Sequence, residues 1–200
     1  MSDHAEAGYR EPPNLVERNL WAGVRLWVGA DAFFFLGFVF AFFYLRALDS
    51  NGMFRDPHDH QSTAVGTAVL VATVGCAVMV RYGVGRLRSG DAAGWRRAAA
   101  VALVLAVAAV VLQIVQYGQF GLDRLVYQGY GSIFLGWTVA YVIHLIVAGA
   151  WLESLFAQSL RDRGVAAAGA AVLPSAAACL VFWEFMAVIG AIMYVLLYLV

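Results

Sequence analysis

Charge is scarce in this chain. Only 13% of its 200 residues are Asp, Glu, Lys or Arg, about half the share in ordinary soluble domains. The charges balance to a formal net of zero, so no basic surplus is left to neutralise phosphates, and nucleic acid is not expected as a partner. Lysine is missing: all thirteen basic residues are arginine, which points to base composition of the genome rather than to function. Cysteine occurs twice, at Cys76 and Cys179, each within an apolar run. That number and spacing exclude a disulfide framework or a cysteine metal site and leave two small buried hydrophobes. Short segments of alternating hydrophobicity are absent too, which excludes a membrane β-barrel. No cleavable leader is expected, because residues 1–19 are polar and the first apolar segment is too long for a signal h-region.

What fills the chain is long apolar runs. Hydrophobic residues make up 62% of it, and five runs are long enough to cross a hydrocarbon core of about 30 Å. They lie at about 21–45, 64–82, 98–117, 130–156 and 176–200. The expected fold class is all-α: one polytopic bundle of five transmembrane helices following a cytoplasmic tail at residues 1–20. Asn14 or Asn19 is expected to cap the first helix and Ser62 or Thr63 the second. The stretches 81–97 (RYGVGRLRSGDAAGWRR) and 161–174 read as connections. Arg10, Arg18, Arg25, the five arginines of 81–97, Arg161 and Arg163 fall on one side, against Arg46, Arg55 and Arg124 on the other. The positive-inside bias then puts the N-terminus inside and the C-terminus outside.

Candidate functional residues are the polar groups inside these runs. Asp31 sits deep in the first span, where a carboxylate costs about 2.5–3.5 kcal/mol and so faces protein or water rather than lipid. Its Phe-rich surroundings read as lipid-facing bulk and packing. Gln113, Gln116 and Tyr117 share one face near the end of the third span. His144 is the single histidine within a span, and Glu184 lies in the fifth. Helical depth allows Asp31, His144 and Glu184 to meet in one polar layer, although which helices face one another is not encoded in spacing. The loop residues Asp56, His58, Asp59 and His60 offer metal-type side chains but no partner cluster elsewhere, and no metal site is expected.

In order and spacing, these residues resemble subunit III of the haem–copper oxidases (cytochrome c oxidase type) in a divergent five-helix form. The first span carries Ala30-Asp31, Phe34-Phe35, Gly37 and Tyr44-Leu45-Arg46, where the family has a small residue and Glu, aromatics, Gly and Tyr-X-Arg. The third carries Gln113, Gln116 and Tyr117, with Gln116 in place of Glu. The fourth carries Gly131, Ser132, Phe134, Thr138 and His144, with Tyr141 in place of a first His. The fifth carries Trp183, Glu184, Phe185, Met186 and Ala187 in the frame Trp-His-Phe-Val-Asp. The substitutions at 116, 141, 184 and 187 remove or exchange most ionisable motif groups, and Glu184 is a candidate replacement for the acid lost at Gln116.

The resemblance implies a non-catalytic subunit of a bacterial plasma-membrane complex in aerobic electron transport. It would pack on catalytic subunit I, with subunit II in the same assembly, hold phospholipid and support proton uptake and oxygen access. Haem and copper are expected in the partner subunit and not in this chain, which lacks the several intramembrane histidines needed to hold them. Three alternatives stay open. One is a subunit III-like protein associated with a nitric oxide reductase. Another is a small proton-coupled transporter using Asp31, His144 and Glu184 as a relay, against which stands the lack of any internal repeat. The last is a purely structural role for Asp31 and Glu184, as interhelical hydrogen-bonding groups.

Overall fold

The computed structural model describes residues 12–49, 52, 54, 61–120, 129–161 and 165–200. Among them every regular element is helical: α1 (Pro13–Ala47), α2 (Thr63–Arg88), α3 (Ala92–Phe120), α4 (Gly129–Arg161) and α5 (Val165–Tyr194), the last continued by a π-helical turn, Val195–Leu199. All five helices are long and apolar enough to cross a membrane, the mark of a multi-pass membrane protein.

The helices run past the apolar spans at several ends. α1 begins at Pro13, with Pro12 in the cap position and no side-chain capping bond. Neither Asn14 nor Asn19 caps it, because proline's fixed φ already suits the first helical position and its missing N–H is no loss there. Ser62 does cap α2, its hydroxyl accepting from the Val65 N–H at 3.3 Å. The expected connection 81–97 shrinks to Ser89–Asp91. The Asp91 N–H donates to the Arg86 carbonyl (2.9 Å) and the Gly90 N–H to that of Leu87 (3.0 Å), the paired bonds of a Schellman stop, with Gly90 supplying the positive φ of 80° that the stop needs. Asp91 then caps α3, its carboxylate accepting from the Gly94 N–H at 2.7 Å while Arg86 grips it from the preceding helix. These two donors hold the Asp91 carboxyl below its ordinary 3.8. The Ala/Gly run before Pro174 is helix rather than connection: alanine is the best helix former, and its propensity together with packing absorbs an internal proline.

Small residues decide which helices lie closest. α2 packs most extensively on α3. At Gly83 an added Cβ would meet the Trp95 ring at 2.9 Å and at Gly75 it would meet Leu105 at 3.2 Å, while Ala99, Ala102 and Ala109 of α3 are fully buried. Without side-chain bulk the backbones close up, which is how membrane helices associate when the surrounding solvent is as apolar as they are. α5 packs on α2, α4 and α1, and α4 also packs on α3. α1 lies at the edge, against α4 and α5. It buries Phe35 and Phe42 and turns Phe33 and Phe40 outward, 79% and 71% exposed, as the Phe-rich composition anticipates. Cys76 and Cys179 are free thiols in the core.

Candidate functional site

Asp31 stands near the middle of α1, with eighteen helical residues before it and sixteen after. His144 stands near the middle of α4, with fifteen before and seventeen after. The edge packing of α1 on α4 brings the two together, with Nε2 of His144 3.5 Å from Oδ2 of Asp31. Phe34 and Phe35 of α1 close over the imidazole, with ring centroids at 5.9 and 5.0 Å, and Asp31 is 9% exposed. The other ring nitrogen is engaged: Nδ1 lies 2.7 Å from the Ala140 carbonyl, an acceptor, so Nδ1 carries a hydrogen. Nε2 therefore faces Oδ2 of Asp31, a buried oxygen with no hydrogen-bond partner of its own. An acid and an imidazole face to face at mid-helix are the kind of intramembrane polar pair that marks a candidate functional site.

A second polar group fills the bundle nearer the π-helical end. Gln113 and Gln116, one turn apart on α3, are fully buried. Gln113 donates to Oε1 of Gln116 (3.2 Å), Gln116 donates to the Ser62 carbonyl (3.1 Å), and the Tyr198 hydroxyl donates to Gln116 Oε1 (2.6 Å). Tyr198 fits because α2 has glycine opposite it: a Cβ on Gly66 would lie 2.5 Å from the ring. The π turn widens the backbone there, and the Leu197 carbonyl accepts from Gln61 (2.7 Å) and from the Tyr130 hydroxyl. Farther along α4, the Thr138 hydroxyl donates to the Phe134 carbonyl (2.6 Å) and Tyr141 to the Met186 carbonyl (2.9 Å). Tyr117 is half-buried beside this group.

Glu184 joins neither group. It pairs with Arg81 of α2, whose Nε donates to it at 2.8 Å, on a face where the two side chains are 35% and 69% exposed. The three-residue layer of Asp31, His144 and Glu184 thus reduces to a pair, and Glu184 does not take the place of an acid at Gln116. Of the remaining motif positions, Trp183 and Gly131 are buried and Ser132 is exposed, while Phe185 packs on Phe35 with centroids 6.2 Å apart. Arg46 closes α1 and lines a cavity of about 170 Å3 with Phe42, Asp49 and Tyr130. Among the described residues no three His, Cys, Asp or Glu side chains gather as metal ligands would. Asp56, His58, Asp59 and His60 lie outside the described residues.

Sequence reading missed Arg81, Gln61, Tyr130, Tyr198 and the glycines at 66 and 190, which seat Tyr198 and Tyr141. Arg81 carried a usable signal, since an arginine and a glutamate inside two spans favour each other. The tyrosines carried none, because their partners are backbone carbonyls and notches that exist only once the helices cross. No protein-family model matches the chain, and no curated protein matches it.

Proposed function

We propose that the chain is a non-catalytic, subunit III-like component of a haem–copper terminal oxidase in a bacterial plasma membrane, with its N-terminus on the cytoplasmic side. One observation supports this reading most: Asp31 and His144, each drawn from a different one of the matched motifs, stand 3.5 Å apart in mid-helix. The ordered motifs account for both positions at once, whereas hydropathy alone asks only that a buried acid find some polar partner. In this role the chain packs on catalytic subunit I, with subunit II in the same assembly, holds membrane phospholipid and supports proton uptake, while haem and copper belong to the partner. The arginine asymmetry supports the orientation.

The test is mild detergent extraction of the chain through an affinity tag, followed by a reduced-minus-oxidised spectrum and mass spectrometry of what accompanies it. A haem-bearing subunit I in stoichiometric amount supports the reading. Oxygen consumption against nitric oxide consumption then separates an oxidase from the related reading, a subunit III-like protein of a nitric oxide reductase. A colourless, monodisperse chain sinks both. The acid–imidazole pair gives a reading of another class its one specific support: a small proton-coupled transporter. Proton uptake by vesicles holding this chain alone, abolished by Asp31→Asn, would establish that instead.

A further inference from the structure

Two glycines and two tyrosines leave a hole in the middle of the polar group on α3. The hole is a cavity of about 10 Å3, lined by Gly66, Gln113, Tyr141, Gly190, Met193 and Tyr198 among others, close to the smallest volume that holds one water molecule. Gln113 is fully buried, and its Oε1 has no hydrogen-bond partner, its amide nitrogen being turned to Gln116. The Tyr141 hydroxyl hydrogen is engaged by the Met186 carbonyl and that of Tyr198 by Gln116, which leaves an unused lone pair on each oxygen. The side chains that line the cavity thus offer neutral acceptors, while behind them the Tyr117 hydroxyl, which lies against Gln113, also lacks a partner. A cation there would carry an uncompensated charge into an apolar bundle, which is prohibitive. A small neutral molecule with two hydrogens to give fits the size and the chemistry.

We infer that one water molecule is bound permanently inside the bundle, donating to Gln113 Oε1 and to a tyrosine oxygen, Tyr141 or Tyr198. With Tyr141 as the second acceptor, it closes a continuous ladder from the Ser62 carbonyl through Gln116 and Gln113 to Tyr141 and the Met186 carbonyl. That ladder ties α2, α3, α4 and α5 together. The inference rests on the cavity and its unpaired acceptor and does not depend on the proposed function.

Hydroxyl-radical labelling by X-ray pulses tests it, because a trapped water radiolysed in place oxidises the side chains that touch it. Met193 and Met186 are both buried, 3% and 0% exposed, but only Met193 lines the cavity. In the full chain in lipid nanodiscs, Met193 should be oxidised several-fold faster than Met186. In Gln113→Leu, which removes the acceptor and fills the space, the ratio should fall towards one. Equal, slow oxidation of the two methionines in the wild-type chain would overturn the inference, and that comparison stands even if the variant does not fold. A Met193 rate unchanged in a folded Gln113→Leu chain would overturn it as well.

Discussion

Gly190→Ala probes how tightly α4 and α5 are keyed. A methyl group at 190 would stand 3.0 Å from Cζ of Tyr141 and closer still to its hydroxyl oxygen, inside contact distance. Tyr141 is completely buried and the cavity beside it is only about 10 Å3, too small to take a displaced ring, so its bond to the Met186 carbonyl must break. Overpacking of this kind costs about 1–3 kcal/mol, and stranding a buried hydroxyl costs a further 1–3 kcal/mol or so. Against these, alanine gains about 1 kcal/mol of helix propensity over glycine. The net loss should be about 3 kcal/mol. Tyr141→Phe removes the atom that the methyl meets and leaves the Met186 carbonyl its intrahelical donor, so alone it should cost about 1 kcal/mol. The double variant should then be more stable than the two single losses predict, by about 1–3 kcal/mol of coupling. Equilibrium unfolding in mixed micelles, titrated with a denaturing detergent, measures all four corners of the cycle. A Gly190→Ala chain as stable as wild type would refute the reasoning, and so would an equal penalty for Gly190→Ala in the Tyr141→Phe background.

Asp31→Leu and His144→Leu should each destabilise the bundle more than the double substitution does, since each strands a buried partner, a loss of about 3–5 kcal/mol when that partner is charged; strictly additive losses in the same unfolding assay would show that the 3.5 Å approach carries no interaction. Glu184 stands inside the fifth span on an outward face, so Arg81→Ala, which leaves that carboxylate unpaired where a charge costs about 2.5–3.5 kcal/mol, should destabilise the bundle more than Arg81→Ala combined with Glu184→Gln; a loss below about 1 kcal/mol for Arg81→Ala alone would mean that this face meets water. Asp91 sets a pH dependence of definite sign. Its carboxyl titrates below the ordinary 3.8 in the folded chain, so its contribution is complete above that unfolded value and is lost as the pH falls through the lower folded one. Melting curves of wild type and Asp91→Asn should therefore differ above about pH 4 and converge in stronger acid; a difference that vanished at neutral pH would contradict the capping geometry.

The five helices were legible because membrane solvent leaves continuous apolar runs and few other solutions. Their ends were not. Arg81 to Arg88 looked like a basic connection and is the last two turns of α2, since arginine is a good helix former and its charge can reach the headgroups from inside a helix. The Ala/Gly run before Pro174 was misread for a related reason: proline is a strong signal for ending a helix but a weak veto when alanines precede it and packing follows. Within one helix, spacing was informative. Gln113, Gln116 and Tyr117 were placed on one face by three- and four-residue steps, and the structure buries both glutamines together.

Between helices, spacing was silent. Asp31, His144 and Glu184 had equal claims to a shared layer by depth, and only two of them meet, because rotation about each helix axis is set by contacts elsewhere. Those contacts are small: glycine at 66, 83 and 190 opposite Tyr198, Trp95 and Tyr141. Each notch accepts one large side chain at one height, so three glycines fix the sliding and turning of α2 against α3 and of α5 against α2 and α4. The positions that carry chemistry are thus aligned by positions that carry none. At the α1–α4 seam the notch is Gly136, where an added Cβ would meet Phe38 at 3.3 Å, and substitution there should disturb the Asp31–His144 approach without touching either residue.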